Sequence, residues 1–170
     1  MYKYDGFPKN REKFIQLIEF IKRILRICNN LDISPVLVGS LAVFVYTGNS
    51  KINVNDVDLI CSEVEFPKIA NALEGERIEY ELKEWHVLQV LEGDLKVEFG
   101  SDEYWLQNIT KDYETLKIDR FEIKMLGLNS LKELYQKGMA DKAAKNKETS
   151  KMKYKDLKKK FELLDSVIKN

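Results

Sequence analysis

Apolar residues recur at three- and four-residue steps near the start of the chain, with lysine, arginine and glutamate between them. The apolar positions of this pattern are Phe14, Leu17, Ile18, Ile21, Leu25 and Cys28. Residues spaced in this way share one face of a helix. The pattern therefore predicts an amphipathic helix over about residues 10–30.

The pattern then changes to short apolar runs bounded by proline, glycine and aspartate. Residues 36–38 and 57–61 are mostly apolar and predict buried strands, and residues 41–46 between them are long enough for two helical turns. Pro67 suits the first turn of a short helix that ends near Gly75. Further strands are predicted over residues 77–82, 86–91 and 95–99, with a turn at Gly93-Asp94, and over two stretches of residues 113–124.

Helical spacing returns after Gly127. One predicted helix begins with Leu131, Leu134 and Tyr135, and a second has apolar positions at Tyr154, Leu157, Phe161, Leu164 and Ile168. This order of elements is typical of an α/β (α+β) fold with a mixed β-sheet and flanking helices. We expect a single domain over residues 1–170, with a helix and mixed-sheet core over 1–127 and C-terminal helices over 128–170.

The composition is that of a globular protein. Of the 170 residues, 44% are hydrophobic and 33% are charged, and the formal net charge is zero. A neutral chain gives no overall electrostatic attraction to nucleic acid or membrane. The charge is uneven, however, because residues 137–160 contain ten lysines and only three acidic residues.

The cysteines and the N-terminal residues indicate a compartment. Cys28 and Cys61 lie in apolar runs without metal-binding spacing, so we expect buried free thiols in a reducing environment. The first twelve residues are too polar for a signal peptide, and no apolar run reaches the roughly 18 residues of a membrane span. We therefore expect a cytoplasmic protein with no membrane partner.

Candidate chemistry is concentrated between the first two predicted strands. One strand ends in Gly39-Ser40, and the next begins with Asp56-Val57-Asp58. Side chains two positions apart on a strand share a face, so the two carboxylates would stand side by side, with Cα atoms roughly 6.6 Å apart. Paired carboxylates repel each other and suit a hard cation such as Mg²⁺, which also binds phosphate oxygens. A glycine before a helix start permits close approach of a phosphate to the backbone.

This arrangement resembles the polymerase-beta-like nucleotidyltransferase superfamily, and in particular its minimal, toxin-associated branch. The matching residues are Val38-Gly39-Ser40, a spacer, and then Asp56-Val57-Asp58-Leu59-Ile60. Members place a third carboxylate on a later strand, and Glu98 in the run Leu95–Phe99 is the best match. The spacer of fifteen residues is long for the superfamily, and Lys51 and residues 53–55 stand where Arg and Thr are common.

The resemblance implies an Mg²⁺-dependent enzyme that transfers a nucleoside monophosphate from an NTP such as ATP to an acceptor hydroxyl. It implies that Asp56, Asp58 and Glu98 bind two Mg²⁺ ions, or Mn²⁺, and carry the catalysis. It also implies that Gly39 and Ser40 hold the nucleotide phosphates. The acceptor stays open and includes a small molecule, RNA or protein, and the branch suggests a toxin–antitoxin setting.

Several residues have two interpretations. Lys137, Lys142 and Lys155 either contact the triphosphate or belong to a solvated helix face, as lysine-rich helices usually do. Asp94 is a rival to Glu98, although its place beside Gly93 favours a turn. The only histidine, His86, is more typical of a packed or surface imidazole than of a catalytic base.

Aromatic residues and whole-protein alternatives also stay open. Trp85, Tyr104 and Trp105 either stack on a base or belong to the core. Two other functions fit the sequence: a catalytically silent module of the same fold that binds nucleotide or a partner protein, and an RNA-associated protein that uses the basic C-terminal helices.

Overall fold

The computed structural model describes residues 1–168, so Lys169 and Asn170 of the predicted domain lie outside the described residues. The first element is the predicted amphipathic helix, α1, at Arg11–Asn30. Its apolar positions, including Leu17, Ile21 and Cys28, are buried as the periodicity requires. Both cysteines are buried free thiols, as predicted, and burial raises the pKa of Cys28 to about 12.

Seven strands form one mixed sheet, which confirms the predicted fold class. The strands are β1 Val36–Val38, β2 Val57–Cys61, β3 Glu79–Lys83, β4 Val87–Glu92, β5 Leu95–Ser101, β6 Tyr113–Ile118 and β7 Phe121–Leu126. Their order in the sheet is β3-β4-β5-β2-β1-β7-β6. The pairs β2–β5 and β1–β7 are parallel, and the remaining pairs are antiparallel.

Five further helices complete the described chain. They are α2 Gly39–Thr47, α3 Phe66–Gly75, α4 Asp102–Trp105, α5 Leu128–Ala143 and α6 Glu148–Ile168, with a 3₁₀ turn at Glu63–Glu65. Helix α2 begins at Gly39, two residues before the predicted start, because the chain turns directly from β1 into the helix. Helix α4 is not predicted from the sequence, since four residues are too few to show a helical period.

The two faces of the central strands have different environments. One face of β2 and β5 is apolar and fully buried, and its residues are Val57, Leu59, Val97 and Phe99. Strand β5 also contacts α1. Asp58 and Glu98 alternate with these apolar residues and are half-buried on the opposite face. Alternation along each strand thus separates a packed apolar face from a polar one, which carries the candidate site.

The C-terminal helices pack beside this polar face. Helices α5 and α6 contact each other, and α6 also contacts α2. Leu164 is buried in the core, and Leu157 and Phe161 pack against it, whereas the side chain of Ile168 is outside the described part. None of the helices described over residues 1–168 combines the length and apolar character needed to cross a membrane. The single-domain boundary stays a prediction.

Candidate active site

Gly39 and Asp58 are brought together by the pairing of β1 with β2. Val38 lies opposite Asp58 in this antiparallel pair, so the next residue, Gly39, comes directly against the Asp58 side chain. A Cβ atom on Gly39 would lie 2.1 Å from Asp58 Oδ2, a distance that no side chain can adopt. Gly39 also has a φ of +74°, which favours glycine. Glycine is therefore required here both by conformation and by contact with the carboxylate.

Ser40 follows in the first turn of α2, where backbone N–H groups lack helical partners and attract anions. Its side chain is buried, with 7% of the residue exposed. The structure thus places the start of α2 beside Asp58, as the motif spacing predicts.

Glu98 is aligned with Asp58 on the neighbouring strand. The parallel pairing of β2 with β5 sets Asp58 opposite Glu98, which puts their Cα atoms about 4.8 Å apart. Gln89 on β4 lies opposite Glu98 on its other side and donates a hydrogen bond of 2.8 Å from Nε2 to Glu98 Oε1. Asp94, the rival carboxylate, lies in the β4–β5 turn with its side chain 80% exposed. The structure therefore brings Glu98, and not Asp94, next to the aspartates.

Lys96 lies between two of the three carboxylates. Its Nζ is 3.3 Å from Asp56 Oδ2 and 3.1 Å from Glu98 Oε1. Lys96 and Glu98 are two positions apart on β5 and project from the same face. Lys96 has no predicted role, although the same two-residue spacing that relates Asp56 to Asp58 relates Lys96 to Glu98.

The electrostatic environment of Asp58 favours its protonated form. Burial is the main cause, and the nearby charges of Asp56 and Glu98 add to it, which together raises the pKa of Asp58 to about 7. The positive charges of Lys160 and Lys96 act in the opposite direction. Excess negative charge in a half-buried position is a favourable setting for a bound cation.

The donor chemistry fits a divalent metal ion. Within residues 1–168, no three His, Cys, Asp or Glu side chains are already grouped as metal ligands. The three carboxylates nevertheless supply hard oxygen donors of the kind that Mg²⁺ prefers. The Lys96 ammonium already occupies a cationic position between Asp56 and Glu98.

The C-terminal helices supply residues on the other side of the site. Tyr135 on α5 is buried, and its pKa is raised mainly by burial and further by the charges of Asp58 and Asp156. Lys160 on α6 donates a hydrogen bond of 2.7 Å to Asp156, and its charge reaches Asp58. Neither Tyr135 nor Lys160 is predicted as a site residue, since helix packing across the chain is not visible in local periodicity.

The three lysines selected from the sequence have other surroundings. Lys137 donates a hydrogen bond of 2.8 Å to the backbone carbonyl of Gln107. Lys142 pairs with Asp141 at 3.2 Å, and Lys155 is exposed. Their contact with a triphosphate stays a prediction.

An aromatic surface adjoins the carboxylates along β5. Gly100 is two positions beyond Glu98 on the same face, and a Cβ there would lie 2.7 Å from Cδ1 of Trp105. Trp105 therefore packs over the strand next to Glu98, while 38% of it stays exposed. Tyr104 contacts Trp105 edge-on and stacks on His86, with ring centroids 4.8 Å apart for the stacked pair.

His86 is a surface residue, in agreement with its interpretation as a packed or surface imidazole. Its Nδ1 lies 2.9 Å from Glu63 Oε2, and the side chain is partly exposed. Trp85 beside it is also exposed. His86, Tyr104 and Trp105 therefore form one aromatic surface at the end of the polar sheet face, and Trp85 is next to His86 in the chain.

Two open cavities lie outside the carboxylate cluster. A cavity of about 490 Å³ lies between α1 and the β4–β5 turn, against Phe20, Arg23 and Gly93. The second, of about 360 Å³, is lined by residues that include Ile60 and Lys124. Ile60 is two positions beyond Asp58 on β2, so the second cavity lies further along this strand than the carboxylates.

Comparisons with known proteins identify the fold. No family model matches the sequence, and no curated protein matches it significantly. The antibiotic-resistance factor ANT(2'')-Ia superposes with a TM-score of 0.62 at 13% identity, over 91% of this chain and 92% of that one. An antigenic nucleotidyltransferase-like protein from Paracoccidioides brasiliensis gives a TM-score of 0.58 at 13% identity, over 87% and 74% of the two chains.

A third solved structure agrees with these two. The lincosamide antibiotic adenylyltransferase LnuA, solved with lincomycin bound, gives a TM-score of 0.51 at 16% identity over 81% of this chain and 94% of that one. At such identities the likeness concerns the fold. The chain has the fold of the polymerase-beta-like nucleotidyltransferases, which confirms the predicted resemblance at that level.

Proposed function

We propose that this protein is a nucleotidyltransferase that transfers a nucleoside monophosphate from an NTP to an acceptor hydroxyl. The observation that carries the proposal is the strand register that sets Gly39, Asp58 and Glu98 side by side. These are the residues that the motif resemblance selected. The fold shared with nucleotidyltransferases supports the same reaction class.

The proposed reaction is a displacement at phosphorus. The acceptor oxygen forms a bond to the α-phosphorus, the bond from that phosphorus to the β-phosphate oxygen breaks, and pyrophosphate leaves. Glu98 would accept the proton of the acceptor hydroxyl, since its carboxylate lies on the exposed face of β5. Asp56, Asp58 and Glu98 would hold two Mg²⁺ ions, which supply charge stabilisation of the entering and leaving oxygens.

The nucleotide side of the site is the start of α2. Gly39 leaves the backbone open at a helix terminus, and Ser40 is in its first turn, so the β- and γ-phosphates would bind there. Lys160 is a stronger candidate for phosphate contact than Lys137, Lys142 or Lys155, because its charge reaches Asp58. The basic character of α6 also lowers the electrostatic cost of a triphosphate beside three carboxylates.

The acceptor side is proposed to be the aromatic surface around Trp105. Its position over Gly100, two residues past Glu98, would place a ring stacked on the indole near the carboxylate that accepts the proton. ANT(2'')-Ia has been solved with adenylyl-2''-tobramycin and LnuA with lincomycin, so these neighbours of the same fold take small ring-bearing acceptors. A small ring-bearing molecule is therefore our first candidate, ahead of RNA or a protein hydroxyl.

A catalytically silent nucleotide-binding module is the second candidate function. The bridge from Lys96 to Asp56 and Glu98 favours it, because an internal ammonium could substitute permanently for a metal ion. A toxin–antitoxin setting stays a prediction from the motif resemblance alone.

Calorimetric titration with ATP and the other NTPs tests the proposal, with and without Mg²⁺. The variants are Asp56→Asn with Asp58→Asn, and Asp94→Asn as a matched carboxylate control. We expect Mg²⁺-dependent binding in the wild type and in the control, and none in the double variant. NTP binding that needs no Mg²⁺ and is unchanged in the double variant would favour the silent module. No NTP binding at all would overturn both candidates.

A further inference from the structure

Lys96 has an unusual place for a cation in this structure. It projects from the same face of β5 as Glu98 and bridges two carboxylates from different parts of the chain. The side chain is only one-third exposed, so water screens these contacts less than it screens a surface ion pair. Lys83 on β3 provides a contrast, because it pairs with Glu81 of its own strand at 2.9 Å.

The Lys96 bridge gives both Asp56 and Glu98 a positively charged partner. Glu98 Oε1 receives both the Lys96 ammonium and the amide of Gln89. Asp56, which precedes β2, is tied to β5 through the same ammonium. Without Lys96, two negative groups would face Asp58 with no bridging cation between them, and their repulsion would loosen the cluster.

We propose that Lys96 is a resident counter-ion of the carboxylate site, which a divalent cation must displace in order to bind Asp56 and Glu98. The proposal rests on the proposed function, since it takes these carboxylates as the metal ligands. Lys96 then has two effects: it keeps the ligands in place in the metal-free protein, and it weakens metal binding by competition. Lys96 is a positioning residue in this scheme and not a catalytic one.

Competition by Lys96 has a consequence that ordinary ion pairing lacks. Removing the ammonium lowers the stability of the metal-free protein, because the carboxylates then repel each other. The same change raises the affinity for a divalent cation, because the competitor is gone. A structural ion pair would produce the first effect without the second.

Thermal unfolding of the full chain, with MgCl₂ or MnCl₂ added to metal-free protein, measures both effects. The variants are Lys96→Met, Lys96→Gln in case the first does not fold, and Lys83→Met as the matched β-strand control. We expect Lys96→Met to unfold at a lower temperature in EDTA. We also expect the variant to reach half of its metal-induced stabilisation at a metal concentration about tenfold lower than the wild type requires. The reason is that one nearby cation has been removed. Lys83→Met should keep the wild-type metal response.

The outcomes separate this inference from the proposed function. Equal metal midpoints for wild type and Lys96 variants would overturn the counter-ion role, and the metal site would stand if Asp56→Asn with Asp58→Asn abolished the response. A response that was absent in the wild type and in the Lys96 variants would overturn the metal site and the counter-ion role together. Lys96→Arg keeps the positive charge, so a metal midpoint equal to that of the wild type in this variant would support competition by charge.

Discussion

The two faces of strands β2 and β5 meet opposite requirements with alternate residues of the same chain. On one face, Leu59 and Phe99 are completely buried and make the hydrophobic core. On the other, Asp58 and Glu98 gather negative charge that Lys96 and Lys160 offset only in part. The packed face therefore stabilises the fold and fixes the strand register. This register in turn keeps the repelling carboxylates of the polar face close together.

The largest expected effect falls on the polar face. Glu98→Gln removes one negative ligand without changing shape, and we expect transfer activity to fall on the order of 10³-fold, the loss expected from several kcal/mol of transition-state stabilisation. Pyrophosphate release from the NTP identified by calorimetry, with a small ring-bearing alcohol added as the acceptor, measures it. Asp94→Asn, in the exposed turn, should stay within about twofold of the wild type. Equal losses in the two variants would mean that Glu98 has no special place in the reaction.

The packed face should respond in stability instead. Leu59→Ala leaves a cavity beside Phe99 and should lower the free energy of unfolding by about 2–5 kcal/mol, as measured by urea denaturation. Val64→Ala, at an exposed apolar position, should change it by less than about 0.5 kcal/mol. A lower nucleotide affinity of the folded Leu59→Ala variant would contradict this separation, because it would mean that the packed face also affects binding.

Gly39 lies at the proposed nucleotide site, and it can be compared with Gly48. Both have positive φ, but a Cβ on Gly48 meets nothing within 4 Å, whereas one on Gly39 meets Asp58. Gly39→Ala should lower the free energy of unfolding by about 3 kcal/mol and abolish Mg²⁺-dependent ATP binding. Gly48→Ala should cost about 1 kcal/mol and leave binding intact. Similar behaviour of the two variants would show that backbone conformation alone explains the glycine.

The last expected effect is a pH dependence of stability. Asp58 has a raised pKa in the folded protein, so its contribution to stability is present below pH 4 and is lost as the pH rises towards its folded pKa of about 7. Asp58→Asn does not titrate, and in EDTA it should therefore be more stable than the wild type at pH 8, by up to about 4 kcal/mol. At pH 4 the difference should vanish. Urea denaturation at the two pH values checks this, and a constant difference would mean that the Asp58 pKa is not raised.

Much of this organisation follows from local sequence. The spacing of apolar residues locates α1, and alternation locates β2 and β5, because both elements bury one face. Gly39, Asp56, Asp58 and Glu98 were selected from short-range spacing together with a family resemblance. The structure adds the register that puts Glu98 directly opposite Asp58.

The remaining features depend on long-range packing and were not predictable in the same way. Lys96 and Glu98 are neighbours by strand alternation, but the bridge to Asp56 needs the β2–β5 pairing. Tyr135 and Lys160 come near Asp58 only through the packing of α5 and α6. Trp105 reaches the polar face through α4, which is too short to leave a periodic signal.

Strand β1 has a consequence for how the protein is made. It has three residues and is flanked by β2, which follows soon after it, and by β7, which is synthesised more than eighty residues later. Its pairing with β7 is parallel and non-local, which makes it slow to form. A ribosome-bound chain therefore holds Gly39 and the aspartates well before their supporting strand and α6 are complete. The proposed nucleotide site should therefore form only after residues up to α6 have been synthesised, and shorter nascent chains should not bind the nucleotide.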